Sequence, residues 1–357
     1  MRRRGALACG TALGLLPWAL PACGNLPAPP MKPLTADDFR ASRQRGVGFG
    51  SFGSGKRSEA DQESLLGLGA GHVRMFIEAE RVGQTEAYRI ADKQLWALDA
   101  AAASLERRGV YLVLVASFGA DARADLWRSS RLQASAVAIW RQLAERLRGR
   151  AVVAGFDIVN EPVPPGLTYA MRQDRWLDLA ARIIEAVQAV DPRRVLIIES
   201  APDATGPSFE NLRPLPFQGL VYSLHSYGPF EFTHQAVMAE FTQARRYPEI
   251  GSDGRSSELL LAETLEPAAR FTRRYDVPVY VGEFSAPRWA PDGSAARYIA
   301  DSIASFNRHG WSWCYHEYRA WHGWDPEMAS PRQDVQQRSS DAPVLRVLRA
   351  GLRAARN

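Results

Sequence analysis

Short β-branched runs alternating with amphipathic stretches over about 300 residues predict a single (β/α)8 TIM barrel, and two of the runs that end on glutamate mark where its chemistry would lie. Eight runs bounded by Gly, Pro, Asp or Asn read as strands: 47–52, 72–77, 110–117, 152–160, 195–200, 220–227, 277–285 and 311–318. Helical periodicity fills most of the gaps. It covers 95–108 before the third strand, 132–147 before the fourth, 175–190 before the fifth, 264–275 before the seventh and 295–308 before the eighth. Asp276-Val277-Pro278 and His309-Gly310 are stop signals for the last two. A final helix over 344–355 closes the chain.

The rival architecture is a doubly wound open sheet, which calls for a glycine-rich phosphate loop after its first strand. Gly46-Val47-Gly48-Phe49-Gly50-Ser51 has the glycines without the dinucleotide spacing. Beyond residue 40 there is no internal repeat, low-complexity tract or second linker, so residues 41–357 read as one catalytic domain.

The leader reads separately. Met1-Arg2-Arg3-Arg4 supplies a positive end, 5–20 is largely apolar, and Leu20-Pro21-Ala22-Cys23 offers a small-residue cleavage site. The apolar run is short and broken by Pro17 and Pro21, which fits a signal peptide over 1–23 and not a membrane span. Cys23 directly after the small residues resembles a bacterial lipobox, with Cys23 lipidated and 24–40 a tether. The expectation is export, either as an outer-membrane lipoprotein or as a released periplasmic or secreted protein. Of three cysteines, Cys9 and Cys23 fall in this leader, so Cys314 has no disulfide partner and reads as a small buried hydrophobe.

The net charge of +5 carries little functional information. Apart from Lys32, Lys56 and Lys93 the cations are arginines, dispersed and often beside acids, as at Glu145-Arg146 and Glu106-Arg107. No basic block is interleaved with aromatics, which excludes nucleic acid as the expected partner. A monomer is expected, with membrane contact only through the anchor.

A barrel of this kind works at the C-terminal ends of its strands. Those ends carry Arg74, Asn160-Glu161, Glu199, His225-Ser226-Tyr227, Glu283 and His316-Glu317-Tyr318, followed by Trp321-His322-Gly323-Trp324. Glu161 and Glu283 close the runs FDIVNE and VYVGE. Only a fold that curls back on itself brings them together, and together they would form the acid and carboxylate pair that cleaves glycosidic bonds. His72, His234, His309 and His322 show no metal-ligand spacing, so neither metal nor cofactor is expected.

Asn-Glu-Pro after the fourth strand, His-Ser-Tyr after the sixth, Gly-Glu-Phe after the seventh and the arginine on the second resemble glycoside hydrolase family 5, the cellulase family, over about residues 45–325. The resemblance implies a retaining β-glycanase with Glu283 as nucleophile and Glu161 as acid/base, the latter needing a raised pKa in the free enzyme. It implies that Asn160 donates to the sugar 2-hydroxyl and that His225 and Tyr227 hydrogen-bond the catalytic centre. Arg74 would keep Glu283 ionised; the plainer reading of Arg74 is a structural ion pair with Asp157, and that of His225 and Tyr227 is a satisfied core pair. Strict alternation points Asn160 and Glu161 to opposite faces, so the strand end must twist or bulge.

Two departures from the family stand out. Val115-Ala116-Ser117 replaces a motif that carries a histidine, and His316 stands where a sugar-stacking tryptophan belongs, with Tyr318, Trp321 and Trp324 as substitutes. Trp289, Trp321 and Trp324 read either as pyranose platforms or as loop packing. Glu199 and Glu317 read as substrate-hydroxyl contacts or a solvated rim. The activity expected is an endo-β-1,4-glucanase, with a mannanase or other β-glycosidase as the alternative within the family. A carbohydrate-binding pseudoenzyme is the alternative outside it, against which the intact glutamate pair speaks. A lipoprotein that trims the cell's own exported polysaccharide is a further reading.

Overall fold

A computed structural model describes residues 30–354 apart from 53–58, 84, 86, 119–124, 252, 330 and 336. Its strands are β1 (Arg45–Ser51), β2 (His72–Arg81), β3 (Tyr88–Ile90), β4 (Tyr111–Ser117), β5 (Val153–Asp157), β6 (Leu196–Glu199), β7 (Leu220–Ser226), β8 (Val279–Phe284) and β9 (Ser312–Tyr315). All but β3 run parallel, each paired with the next, and β1 pairs with both β2 and β9. That last pairing closes the sheet into the expected eight-stranded barrel. The three-residue β3, which periodicity did not suggest, lies antiparallel on the outer end of β2.

The helices are α1 (Glu59–Leu66), α2 (Asp92–Arg108), α3 (Ser130–Arg146), α4 (Tyr169–Gln188), α5 (Phe230–Thr233), α6 (Ser257–Tyr275), α7 (Ser294–Arg308) and α8 (Pro343–Arg353). Three start at side-chain caps, where Ser129, Thr168 and Ser256 accept from the N–H of Leu132, Met171 and Leu259. The helices α4 and α6 therefore begin six and seven residues before the apolar periodicity does. Each of these three helices buries an apolar stripe against the barrel. In α3 that stripe is Leu132, Ala136, Ile139, Trp140 and Leu143.

Two apolar layers hold the domain together. The larger fills the space between strands and helices. The smaller lies inside the barrel at its N-terminal end and comprises Leu34, Phe39, Val113, Ala154, Val195, Ile197, Val221, Tyr280 and Cys314. Leu34 and Phe39 belong to the stretch expected to be a tether. From residue 34 onward that stretch is part of the domain, and the boundary placed at 40 moves accordingly. A capping box between Thr35 and Asp38 folds Ala36–Phe39 into a 3-10 turn that inserts Phe39 edge-on to Tyr280 at 5.6 Å. The Phe39 carbonyl accepts from the Ser312 hydroxyl at 2.7 Å, which ties the plug to the start of β9. Among the described residues no helix is long and apolar enough to cross a membrane.

Phe39 is fully buried at the end of the barrel opposite the strand tips that carry the polar cluster. Phe39→Ala is expected to lower unfolding free energy by about 3–5 kcal/mol through the cavity it leaves. The geometry of the far end should survive. Urea denaturation checks this, and an unchanged midpoint would show that the segment contributes nothing to closing the barrel.

Candidate active site

Arg74 organises the C-terminal end of the barrel. It is fully buried, and its guanidinium donates to Asp157 Oδ2 (3.0 Å), Glu283 Oε1 (2.5 Å), Asn160 Oδ1 (2.9 Å) and Glu199 Oε1 (3.0 Å). A planar fork of five donors can serve four acceptors in this way, whereas a lysine ammonium could not. The two roles weighed for Arg74 thus coexist, since one guanidinium pairs with Asp157 and with Glu283. The Phe76 ring lies 4.9 Å from the guanidinium carbon and presents a half-buried face to the cleft.

Breaks in strand regularity aim the two glutamates. β5 stops at Asp157, and Glu161 adopts a left-handed backbone with φ of 45°. The turn allows both Asn160 and Glu161 to face the cleft, which strict alternation forbids. On β8 the register with β7 passes from Leu224–Val281 to His225–Glu283, leaving Gly282 as an extra residue. This bulge turns Glu283 into the barrel. A Cβ on Gly282 would come within 3.0 Å of Ser223 Oγ and 3.1 Å of His225 Nε2, so the close approach requires glycine.

The remaining groups converge on this pair. His225 Nδ1 lies 2.9 Å from Glu161 Oε1 and 3.8 Å from Glu283 Oε2, while its Nε2 lies 3.2 Å from Glu199 Oε1. The Tyr227 hydroxyl donates to Glu283 Oε2 at 2.9 Å. His316 brings Nδ1 to 3.7 Å from the same oxygen. Glu161, His225 and Glu283 each offer an atom within 4.8 Å of the others. Although such a trio could hold a metal ion, the Arg74 cation against Glu283 disfavours a second cation there.

Charge follows from this packing. Burial opposes ionisation of Glu283, but His225, His316 and Arg74 outweigh it and hold the carboxyl well below the usual range. For His225, burial disfavours the cation, yet Glu199 and Glu283 raise its pKa overall. Burial and the neighbouring Glu199 charge push Asp157 well above the usual range in spite of Arg74. Burial and then Glu283 raise Tyr227 well above an ordinary phenol, so it stays protonated and donates.

Of the residues expected in the site, Arg74, Asn160, Glu161, His225, Tyr227, Glu283 and His316 come together. Trp324 joins them, stacked on Tyr227 at 5.6 Å and edge-on to His316 at 5.4 Å. Trp321 stands one ring further out, edge-on to Trp324 at 5.0 Å and to Trp289 at 5.8 Å. Tyr318 does not reach the cleft. It is fully buried and bonded through its hydroxyl to Ser64 and Glu327, a packing residue and not a substitute platform. Glu199 is also fully buried, so neither a rim nor an open hydroxyl contact describes it. Phe76 was missed, although it lies two residues beyond Arg74 and so on the same strand face. Cys23 lies outside the described residues.

Comparison with known proteins places this geometry in context. The sequence model of Cellulase (glycosyl hydrolase family 5) matches residues 43–322. Endoglucanase C of Acetivibrio thermocellus is 27% identical over 205 residues, which cover 50% of this chain and 57% of that protein. The chain thus spans little more than half the length of this relative. Endoglucanase Cel5A of Thermotoga maritima superposes with a TM-score of 0.70 at 21% identity, covering 88% of this chain and all of that one. Cellulose synthase subunit Z of Clostridioides difficile superposes at 0.67 and 16% identity, covering 85% of this chain and 99% of that one. At these identities the superpositions speak to the fold alone, which is the same closed barrel. The family match spans most of the chain and includes all seven expected polar residues that come together at this end of the barrel: this protein belongs to glycosyl hydrolase family 5, the cellulase family.

Proposed function

We propose that this protein hydrolyses a β-1,4-linked glucan with retention of configuration, Glu283 acting as nucleophile and Glu161 as acid/base. One observation carries the reading: an oxygen of Glu161 and an oxygen of Glu283 lie within 4.8 Å of each other. Retaining enzymes hold the pair about 5–5.5 Å apart, whereas inverting enzymes leave roughly 6.5–9.5 Å for a water. In the first step Glu283 attacks the anomeric carbon while the bond to the leaving oxygen breaks and Glu161 supplies its proton. In the second, Glu161 takes a proton from water, the water oxygen bonds to the anomeric carbon, and the Glu283 ester opens.

The surrounding residues support these roles. A nucleophile must be ionised, and the depressed pKa of Glu283 keeps it so. Because Asn160 Oδ1 already accepts from Arg74, its amide N–H groups are left to donate to the sugar 2-hydroxyl. Trp324 and Trp321 supply half-buried aromatic faces beside the nucleophile, suited to apolar pyranose faces. The endoglucanase relatives favour glucan and internal cleavage over mannan, and the intact pair argues against a carbohydrate-binding pseudoenzyme. The leader and the lipobox-like position of Cys23, as read from the sequence, favour a substrate outside the cytoplasm, and the cell's own exported polysaccharide is one such source.

Glu283→Ala is expected to abolish turnover, with azide restoring it and giving a product of inverted configuration. Glu161→Ala should lose about 10²–10⁴-fold on polymer. It should still form the covalent intermediate from a substrate with an activated leaving group. Inverted product from the wild-type enzyme, read by NMR of the released sugar, would sink the assignment.

His316→Gln tests the electrostatics. His316 is among the groups that lower Glu283, so its loss should raise the nucleophile pKa. The acid limb of kcat/KM should then move to higher pH, with activity lost first at low pH. A limb that stays in place would remove His316 from the charge balance.

We also propose that Cys23 anchors the protein by a lipid and that Gly24, not being aspartate, permits sorting to the outer membrane. Cys23→Ala should release or misprocess the protein. Mass spectrometry that finds a mature N-terminus downstream of residue 23, or an unmodified Cys23, would contradict the anchor.

A further inference from the structure

Glu199 closes β6 and is fully buried, yet none of the roles above uses it. One of its oxygens accepts the backbone N–H of Glu161 at 2.5 Å. The other accepts from Arg74 Nη2 at 3.0 Å and lies at ion-pair distance, 3.2 Å, from His225 Nε2. We propose that Glu199 is a positioning residue for Glu161, acting once through the turn that carries it and once through His225, which it keeps doubly protonated. The inference rests on the reading of Glu161 as acid/base.

The turn comes first. A left-handed backbone is unfavourable for a glutamate and persists only where its surroundings fix it. An ionised carboxylate receiving the Glu161 N–H is a strong fixture, because charge-assisted hydrogen bonds are roughly twice as strong as neutral ones. Replacing the charge by an amide keeps an acceptor there but weakens the hold.

The histidine carries the second effect. A neutral imidazole has one donor and one acceptor. Facing ionised Glu199, Nε2 must carry its hydrogen, which in a neutral ring would leave Nδ1 as an acceptor toward Glu161 Oε1. The acid proton of Glu161 would then be given to His225 and withheld from the leaving group. In the imidazolium, Nδ1–H donates to Oε1, and the acid proton is placed on Oε2, from which it passes to the leaving oxygen. The groups facing His225 favour the cation. Glu161, Glu199 and Glu283 lie within 4 Å of its nitrogens, Asp157 lies behind Glu199, and Arg74 is the opposing charge.

The test is Glu199→Gln, assayed on polymer and on dinitrophenyl β-cellobioside, whose leaving group needs no proton. We expect kcat/KM on polymer to fall about 10–100-fold, less than for removal of an acid/base itself, and on the dinitrophenyl substrate to stay within about threefold. Glu161→Gln is run alongside and should split the two substrates more strongly. Equal losses on both substrates for Glu199→Gln, with Glu161→Gln still splitting them, would make Glu199 a merely structural residue. No split for Glu161→Gln would overturn the acid/base reading and this inference with it.

A measurement on the wild type covers the case in which Glu199→Gln fails to fold. In protein labelled with ¹⁵N at its six histidines, the His225 signals are assigned by their loss in His225→Gln. Both His225 nitrogens should be protonated at neutral pH. A neutral ring there would overturn the proposal.

Discussion

The whole catalytic end of the barrel depends on one buried guanidinium. Arg74 has no solvent contact, and a bare cation there would be expelled or force the site apart. It is held by carboxyl groups from β5, β6 and β8, which lie on one side of the closed sheet. Those strand tips are kept together by the same interaction that keeps the cation buried. Such clusters add little to stability over a well-packed apolar core, but removing one member is costly, so they specify geometry more than they add free energy. The site balances with Arg74 and His225 as cations against Glu199 and Glu283, Asp157 being pushed toward its neutral form.

Regular strands alone could not have built this arrangement. Alternation gives one inward side chain in two, and the site needs consecutive inward groups at Asn160-Glu161 and an inward Glu283 directly after Gly282. A left-handed residue solves the first problem and a bulge the second. Both irregularities are stapled by neighbours, the first through Glu199 to the Glu161 N–H and the second through Tyr227 and Arg74 to the Glu283 carboxylate. Backbone strain and side-chain charge are therefore parts of one construction.

This explains what was legible in the chain. The eight barrel strands were readable because each is a short buried run set off by turn residues, and the glutamates because they interrupt such runs. Helix starts were read late at α4 and α6, whose N-terminal ends are set by the caps Thr168 and Ser256 and not by the apolar stripe. Glu199 was misread because position at a strand end says nothing of cover, and its cover comes from Arg74 and His225 on other strands. Tyr318 looked like a cleft aromatic from its neighbours in sequence, but its hydroxyl is claimed by Ser64 and Glu327. Leu34 and Phe39 sit in a segment with proline and polar residues that has no periodicity of its own. Only the open end of the barrel gives them a place to bury.

The aromatic side of the cleft is held by a different principle. Among its described residues the chain from His316 to Arg338 has almost no regular structure, yet it sets His316 beside Glu283, Trp324 against His316 and Trp321 behind Trp324. Arg288, buried, donates to the carbonyls of His322, Ala329, Pro331, Arg332 and Asp334. One side chain thus satisfies five carbonyls that a helix or sheet would otherwise have paired. Glu327 adds a second knot by accepting from Tyr318 and Arg319, the latter also reaching Asp61. A loop fixed through its carbonyls can change side chains without losing its path. The wall it forms, Trp324 stacked on Tyr227, keeps its place against the Glu283 carboxylate.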